Sequence, residues 1–301
     1  MELRDNLSIL LVAGLLVGAL LVGLLLIETR QAVVSPVRAI FVRWARWLAF
    51  AFGAAGLNHL VGLIDRPFWV LVPAFFLLWL LAETLRNWLA IEERSLSSAP
   101  LFPRFTVNES GEEWPTHPPL LRLRDWLRAR GFKPVQALQA EVAPGLRLRS
   151  SFYQDATAAI RLQVLFLPQA GGALAVCFAL STQTASGRRY VTDNLCLPFG
   201  GFYPESWLVE RSLWRRSLPS LVVRHQARLA QAGETAVAWI DDPLSDINAQ
   251  QRELERINTE LGFLFPPSER EEHGKITQAG RYRVWKECWL VSYFGRSARY
   301  R

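Results

Sequence analysis

A histidine and a short polar run are the residues of this chain whose types could support chemistry. His225 lies on the apolar stripe of a predicted helix, and Thr192, Asp193 and Asn194 end a predicted strand. Imidazole can act as a general base, and neighbouring hydroxyl and carboxylate groups can orient it. We therefore predict these four residues as the candidate site. A buried, hydrogen-bonded histidine is the favoured interpretation of His225, because it shares its helix face with apolar residues.

Three aspartates, Asp241, Asp242 and Asp246, lie close together in the sequence. Hard cations such as Mg²⁺ prefer clustered carboxylates, but an aspartate directly before Pro243 is typical of a helix start. The chain has no glycine-rich loop followed by lysine that would cradle a phosphate. From these motifs we predict no catalytic residue, no metal ligand and no cofactor.

The three cysteines, Cys177, Cys196 and Cys288, form no CxxC pair and leave one cysteine over. This usage disfavours a disulfide framework and indicates a reducing compartment. We interpret all three as small apolar side chains in strands and a helix.

The chain carries 34 Lys+Arg against 27 Asp+Glu, which gives a formal net charge of +7. Its arginines are interleaved with acids, which is typical of a solvated surface. A nucleic-acid interface would need clustered basic residues and stacking aromatics in a recognisable module, so we predict no nucleic-acid partner. The apolar residues, 50% of the chain, are concentrated near the N-terminus, which favours a membrane protein.

Residues 1–94 are predicted to be a membrane region with spans at 7–27, 47–64 and 68–85. The first stretch is uncharged and long enough to cross a hydrocarbon core of about 30 Å. A secretory signal peptide is the alternative for it, but the leader lacks a positive n-region and no small-residue cleavage site follows. The third stretch is the shortest, because its uncharged part ends before Glu83.

Residues 36–46 are predicted to form an interfacial amphipathic helix between the first two spans. Its apolar side chains share one face and its arginines the other, so the helix can lie on acyl chains and meet anionic headgroups of the lipid bilayer. The alternative is that this segment is only the charged start of the second span. The predicted membrane-surface contacts are Arg38, Arg43, Arg46, Trp44 and Trp47.

Basic residues near the span ends predict the orientation of the chain. They are concentrated in the first connection and after the third span, and three spans place those two segments on one side of the bilayer. We therefore predict a multi-pass protein of the bacterial inner membrane with its N-terminus outside and its C-terminal domain in the cytosol. The unpaired cysteines of that domain agree with a cytosolic location.

Small residues in the spans favour close helix packing, either within the chain or between copies in a homo-oligomer. Asn58 and His59 are strongly polar side chains within a span, and we favour a structural hydrogen bond over proton or ion transport for them. The predicted packing residues are Gly14, Gly18, Gly53 and Gly56.

Residues 95–119, rich in proline and serine, are predicted to be an extended linker. Residues 120–301 are predicted to be an α+β domain in which about three to four helices, two of them starting at Ser217 and Asp242, pack on an antiparallel sheet meander. The runs with strand character are 135–142, 146–153, 158–167, 174–184 and 190–197.

The order of a helix, Gly131-Phe132, a sheet, and Ser217 before His225 resembles an uncharacterised domain that recurs in membrane-anchored bacterial proteins. The resemblance covers residues 120–295. It implies an architecture only, since such domains bring no known activity with them. The other positions that carry the resemblance are Thr182, Thr192, Asp193, Asn194 and Leu221.

These patterns predict a non-enzymatic membrane protein whose cytosolic domain is a binding or interaction module. The alternative is a membrane-associated enzyme acting on a lipid or lipid-linked substrate, with the arginines of 36–46 guiding anionic headgroups. Such an enzyme would need carboxylates or histidines that converge in one pocket. Transport is disfavoured, because the spans and their polar residues are few.

Overall fold

The computed structural model of the protein describes residues 33–111, 114–143, 145–168, 174–215 and 217–298, together with positions 11, 14, 15, 17–20 and 23. Short 3₁₀ and π-helical turns, Pro267–Glu269 and Leu290–Phe294, flank the last helices. The α-helices of these ranges are α1 (Pro36–Val61), α2 (Phe68–Leu96), α3 (Pro118–Ala129), α4 (Leu218–Ala232), α5 (Pro243–Glu260), α6 (Arg270–His273) and α7 (Gln278–Trp289).

One mixed sheet with the order β2-β3-β4-β5-β6-β7-β8 forms the body of the domain, and the two-residue strands β1 and β9 both pair with β6. Consecutive strands from β2 to β7 are antiparallel. The strands are β1 (Val33–Val34), β2 (Phe105–Val107), β3 (Lys133–Ala143), β4 (Leu146–Gln154), β5 (Arg161–Pro168), β6 (Leu174–Thr184), β7 (Arg189–Asp193), β8 (Trp207–Arg211) and β9 (Ala236–Val237).

The predicted sheet-plus-helix fold is confirmed, but the prediction of a purely antiparallel meander is wrong. Strand β8 runs parallel to β7, and β1 runs parallel to β6. The chain between Asp193 and Trp207 is long enough to return to the starting end of the sheet, as a parallel pair requires. Arg228 of α4 then holds the two strands together, since it donates to the carbonyls of Val191 at 2.6 Å and Leu208 at 2.7 Å.

Alternation along the strands creates two buried faces of the sheet. On the α4 face, Leu162 and Val164 of β5 pack with Leu218 and Leu221 of α4, and α3 contributes Leu127. The opposite face, the α5 face, is covered by α5. Its core includes Leu165, Leu167, Cys177 and Ile247.

The two helices that cover these faces begin where the sequence predicts, because a capping side chain lies at the start of each. The side chain of Ser217 accepts a hydrogen bond from the Ser220 amide. Asp242 accepts from the amides of Leu244 at 2.9 Å and Ser245 at 3.1 Å. This capping explains Asp242 without a metal ion, because the carboxylate satisfies amides that the first helical turn leaves free.

Helices α1 and α2 form an antiparallel hairpin, and both are long and apolar enough to cross a membrane. Many apolar side chains near its tip, such as Leu57, Leu60 and Trp69, are exposed. Exposed apolar surface of this extent favours membrane association. Asn58 closes the turn, since its amide donates to the carbonyl of Ile64 at 3.0 Å and accepts from the amide of Ile64 at 2.9 Å.

The predicted interfacial helix 36–46 and the predicted second span 47–64 are one continuous helix in the structure, because no helix-breaking residue separates them. Helix α2 also continues beyond the predicted end at 85, as far as Leu96. The predicted first span, 7–27, lies largely outside the described residues. Among the described residues, a Cβ added at Gly14 or Gly18 would meet nothing within 4 Å, whereas a Cβ added at Gly53 of the second span would meet Val17 at 3.7 Å.

The segment 95–119, predicted as an extended linker, is packed on the domain. It contributes strand β2, and the side chains of Phe102, Phe105 and Trp114 are buried. At its start the hydroxyl of Ser95 accepts from the Ile276 amide at 2.9 Å. Its aromatic residues explain the difference, since proline prevents regular structure but does not prevent burial of the side chains between prolines.

Candidate functional site

Two arginines at the starts of β5 and β7 lie on the α5 face of the sheet. Arg161 pairs across the strands with Ser181, and Arg189 pairs with Gln183. Because Ser181 and Gln183 are two residues apart on β6, both arginine side chains leave the sheet on the same side. The register of the strands thus brings together two guanidinium groups that are far apart in sequence.

Asp246, in the first turn of α5, binds both arginines. Its Oδ2 lies 2.9 Å from Arg161 Nη1, and its Oδ1 lies 2.5 Å from Arg189 Nη2. Gln250, one turn later, donates to Oδ2 at 3.0 Å. All three charged side chains are buried. Burial lowers the pKa of Arg161, and the neighbouring Asp246 carboxylate opposes that shift.

Two tryptophans complete the cluster. The indole of Trp239 lies 4.2 Å from the guanidinium carbon of Arg161 and 4.9 Å from that of Arg189. Trp207 of β8 stacks on Arg189 at 5.1 Å. Each such contact is worth roughly 0.5–2 kcal/mol, depending on desolvation. The indoles therefore hold the planes of both guanidinium groups in fixed positions.

The cluster contains one more positive charge than negative charge. Within the described residues, the Nη1 atom of Arg189 and the Nε atom of Arg161 are buried without a hydrogen-bond partner. The nearby Glu253 is bonded to Arg256 instead, at 2.7 and 3.0 Å, and Arg256 also binds Glu260. A buried guanidinium without full compensation favours a negatively charged partner.

A groove of about 350 Å³ lies beside this cluster, and we call it the Arg189 groove. Ligand sites are typically apolar clefts of roughly 300–1,000 Å³ with a few convergent polar groups. One side carries the indole of Trp207 and the other carries polar side chains of α5. The groove is lined by Gln183, Thr184, Gly187, Arg189, Trp207, Asp246, Ala249, Gln250 and Glu253.

The predicted candidate residues His225 and Thr192 meet on the opposite, α4 face. His225 is 0% exposed; its Nδ1 lies 2.9 Å from Thr192 Oγ1, and its Nε2 lies 2.9 Å from Thr182 Oγ1. The Arg228 guanidinium donates to Thr192 Oγ1 at 2.7 Å. We assign Nδ1 as the acceptor and Nε2 as the donor, because the Thr192 hydroxyl already accepts from Arg228 and can donate its own hydrogen to the ring.

His225 is therefore a packed core histidine with both ring nitrogens bonded. Burial, and secondarily the positive charge of Arg228, lower the pKa of His225 to about 4. The ring is neutral at physiological pH and has no access to a substrate. Its geometry supports the structural interpretation of His225 and offers no general base.

Asp193 and Asn194 do not join His225, although they follow Thr192 directly. Asp193 pairs with Ala179 and so points to the α5 face. There its Oδ1 lies 2.7 Å from the Nε of the buried Arg211. The side chain of Asn194 accepts from the amide of Phe178 at 2.7 Å, so that contact between β6 and the chain continues beyond the end of β7. The four predicted residues therefore do not form one site, and each makes contacts that stabilise the fold.

The predicted membrane-surface residues lie at the base of the hairpin, where α1 meets the C-terminal π-helical turn. Arg43 donates to the carbonyl of Ser292 at 3.1 Å, and Trp44 donates to that of Tyr293 at 2.9 Å. Trp47 is buried; it stacks on Phe76 of α2 at 4.3 Å between ring centroids and meets Tyr293 edge-on at 5.4 Å. These three side chains fix the hairpin to the domain.

The other two predicted surface residues, Arg38 and Arg46, lie on the same docked half of α1 and are half-buried or exposed. Their contact with lipid headgroups stays a prediction.

Sequence reasoning passed over Arg161, Arg189 and Trp239. The available signal was an arginine within the strand run 158–167 and another directly before the run 190–197. A charged residue that faces a core from such a position needs a partner. From the sequence, Asp246 is a candidate only as a metal ligand.

Comparisons with known protein families, with curated proteins and with solved structures found no match for this chain.

Proposed function

We propose that this chain is a membrane-anchored binding protein whose domain takes a small anionic ligand, bearing a carboxylate or a phosphate, in the Arg189 groove. One observation carries the proposal: two buried arginines share a single carboxylate beside an open groove. The groups in the groove suit binding rather than bond breaking. Of its two acids, Asp246 is engaged by both arginines and Glu253 is paired with Arg256. Apart from Arg189, its other polar side chains are amides and a hydroxyl.

The proposal includes the arrangement predicted from the sequence: three spans, an outer N-terminus and a cytosolic domain. Its support is the distribution of arginines around the apolar stretches and the apolar exposed tip of the α1–α2 hairpin. The base of the hairpin, at Trp44 and Trp47, would then lie near the inner membrane surface, where tryptophan is favoured. Anionic headgroups near Arg38 and Arg46 belong to the same proposal.

The variant Arg189→Met tests the binding role of the groove. Hydrogen bonds to charged groups contribute about 1.5–3 kcal/mol, so we expect affinity for an anion to fall by roughly 10- to 100-fold. The variant is expected to fold, because Arg161 and Asp246 remain as a balanced pair. The measurement is isothermal titration of the full chain in nonionic detergent with pyrophosphate and, separately, with citrate.

Arg188→Met is the matched control. Arg188 is the adjacent residue, but its side chain is exposed and pairs with Glu234 at 3.0 Å. The Arg188→Met variant should bind pyrophosphate and citrate with the affinity of the wild type. Failure of both anions to bind the wild type, or equal losses in the two variants, would contradict an anion site at Arg189.

A further inference from the structure

Two of the three cysteines lie next to each other on the α5 face. Cys177 is in the middle of β6 and is 0% exposed, whereas Cys196 follows the end of β7 and is partly exposed. Their sulfur atoms are 3.6 Å apart. A disulfide needs about 2.0 Å between sulfurs, so a small shift of the loop that carries Cys196 would be enough to form the bond.

The surroundings make the two thiols unequal. The hydrogen bond from the Cys177 thiol, together with the positive charges of Arg211 and Arg43, lowers the pKa of Cys196 to about 7. The same hydrogen bond and burial hold the pKa of Cys177 well above its ordinary range. Cys196 therefore has the thiolate character and the exposure that an attacking cysteine needs, and Cys177 has the position of a resolving thiol.

We propose that Cys177 and Cys196 are a reversible redox pair that closes to an intrachain disulfide when the protein meets a peroxide. Sequence spacing does not reveal this pair, because strand pairing and the loop after β7, rather than a CxxC motif, bring the sulfurs together. The proposal is independent of the anion-binding function.

The reaction balances with hydrogen peroxide as the oxidant. The Cys196 thiolate attacks one peroxide oxygen, so that an S–O bond forms, the O–O bond breaks and hydroxide leaves. The Cys177 sulfur then attacks the Cys196 sulfenic acid; the S–S bond forms, the S–O bond breaks, and water leaves with the Cys177 proton. Two small thiols reverse the step by exchange and become a disulfide themselves.

Cys288 is an internal comparison for the pair. It is also partly exposed, but burial raises its pKa to about 11. A thiol of this kind is a poor nucleophile near neutral pH, so Cys288 should remain reduced under conditions that close the Cys177–Cys196 bond.

The test uses the full chain in nonionic detergent, treated with hydrogen peroxide, alkylated, digested with trypsin and analysed by mass spectrometry. Trypsin places the three cysteines in separate peptides, 162–188, 190–211 and 287–296. We expect a cross-linked species of 162–188 with 190–211, lighter than their sum by two hydrogen atoms. Treatment with dithiothreitol before alkylation should restore both peptides as alkylated monomers.

Variants separate the pair from random oxidation. Cys288→Ser should give the same cross-link in the same yield, whereas Cys196→Ser should give none and leave Cys177 open to alkylation after unfolding. A cross-link that involves 287–296, or oxidation of wild-type Cys196 to sulfinic acid without any cross-link, would overturn the proposal. The cross-link in the wild-type protein tests the proposal by itself, so the test remains valid even if a variant folds poorly.

Discussion

Replacing Asp246 with asparagine should lower the stability of the domain more than any other isosteric change in the Arg189 groove. The change leaves Arg161 and Arg189 buried beside each other without a carboxylate, and removing one partner of a buried ion pair costs about 3–5 kcal/mol. For a domain of this size the thermal unfolding midpoint should fall by on the order of 10 °C. Differential scanning fluorimetry in nonionic detergent measures the shift through the intrinsic tryptophans.

Asp241→Asn is the matched control for this prediction. It makes the same chemical change near the same arginines, but the Asp241 carboxylate is exposed and its contact with Arg161 is made by the backbone carbonyl, 2.5 Å from Nη2. We expect a change within about 0.5 kcal/mol of the wild type. Equal midpoints for the two variants would refute the central role of Asp246.

A second-site variant checks the physical cause of that loss. Adding Arg189→Met to Asp246→Asn removes one of the two facing positive charges. If charge imbalance causes the instability, the double variant should be more stable than the sum of the single changes predicts, by about 0.5–3 kcal/mol. Strict additivity would indicate that lost packing, and not electrostatics, explains the effect.

The regular part of the fold is predictable because it depends on local pattern. Strand β6 begins and ends where its apolar run does, at Leu174 and Thr184. Ser217 and Asp242 mark their helices because a cap acts within one turn. Strand β8 escapes prediction because its partner and the Arg228 contacts that stabilise it are distant in sequence.

The hairpin and the segment after it show a different limit of sequence reasoning. Charge alone suggested a boundary between Arg46 and Trp47, but a helix continues through a change of environment when nothing in the backbone stops it. The prolines of 95–119 suggested a tether, yet Phe102 and Trp114 are buried against the domain. Composition predicts whether a segment forms regular secondary structure. It does not predict whether the side chains of that segment are buried against the domain.

The candidate groove depends on contacts that no local pattern records. Asp246 is 85 residues from Arg161 and 57 from Arg189, and only the register of β5, β6 and β7 brings them together. The His225 site was predictable in part, since an apolar helix face predicts burial. Its threonine partners were not, because their approach depends on the pairing of β6 with β7.

That buried histidine leads to the second large effect, a loss of stability in mild acid. The pKa of His225 is about 4 in the folded protein, against 6.5 for an ordinary histidine. As the pH falls below 6.5, the unfolded chain binds a proton that the folded chain does not bind. His225 therefore contributes its full stability above about pH 6.5 and loses it as the pH falls towards 4, by about 3 kcal/mol in total.

The window from pH 6.5 to 5 separates His225 from the carboxylates, most of which titrate at lower pH. Within it we expect the domain to lose about 2 kcal/mol, measured as unfolding midpoints in nonionic detergent. His225→Gln should be less stable at pH 7.5, because it cannot keep both hydrogen bonds to Thr182 and Thr192. Its stability should nevertheless change much less between pH 6.5 and 5, since glutamine does not titrate.

His273→Gln is the control, because His273 is exposed and lies outside the core; it should keep the slope of the wild type. In an NMR titration the ring signals of His225 should stay unchanged until close to unfolding, because its pKa in the folded protein is about 4. A slope that survives in His225→Gln and disappears in His273→Gln would place the acid sensitivity at the surface. We expect the opposite result: the slope disappears in His225→Gln and survives in His273→Gln. The reason is that the neutral ring of His225 is bonded to a threonine at each nitrogen and has no room for a second proton.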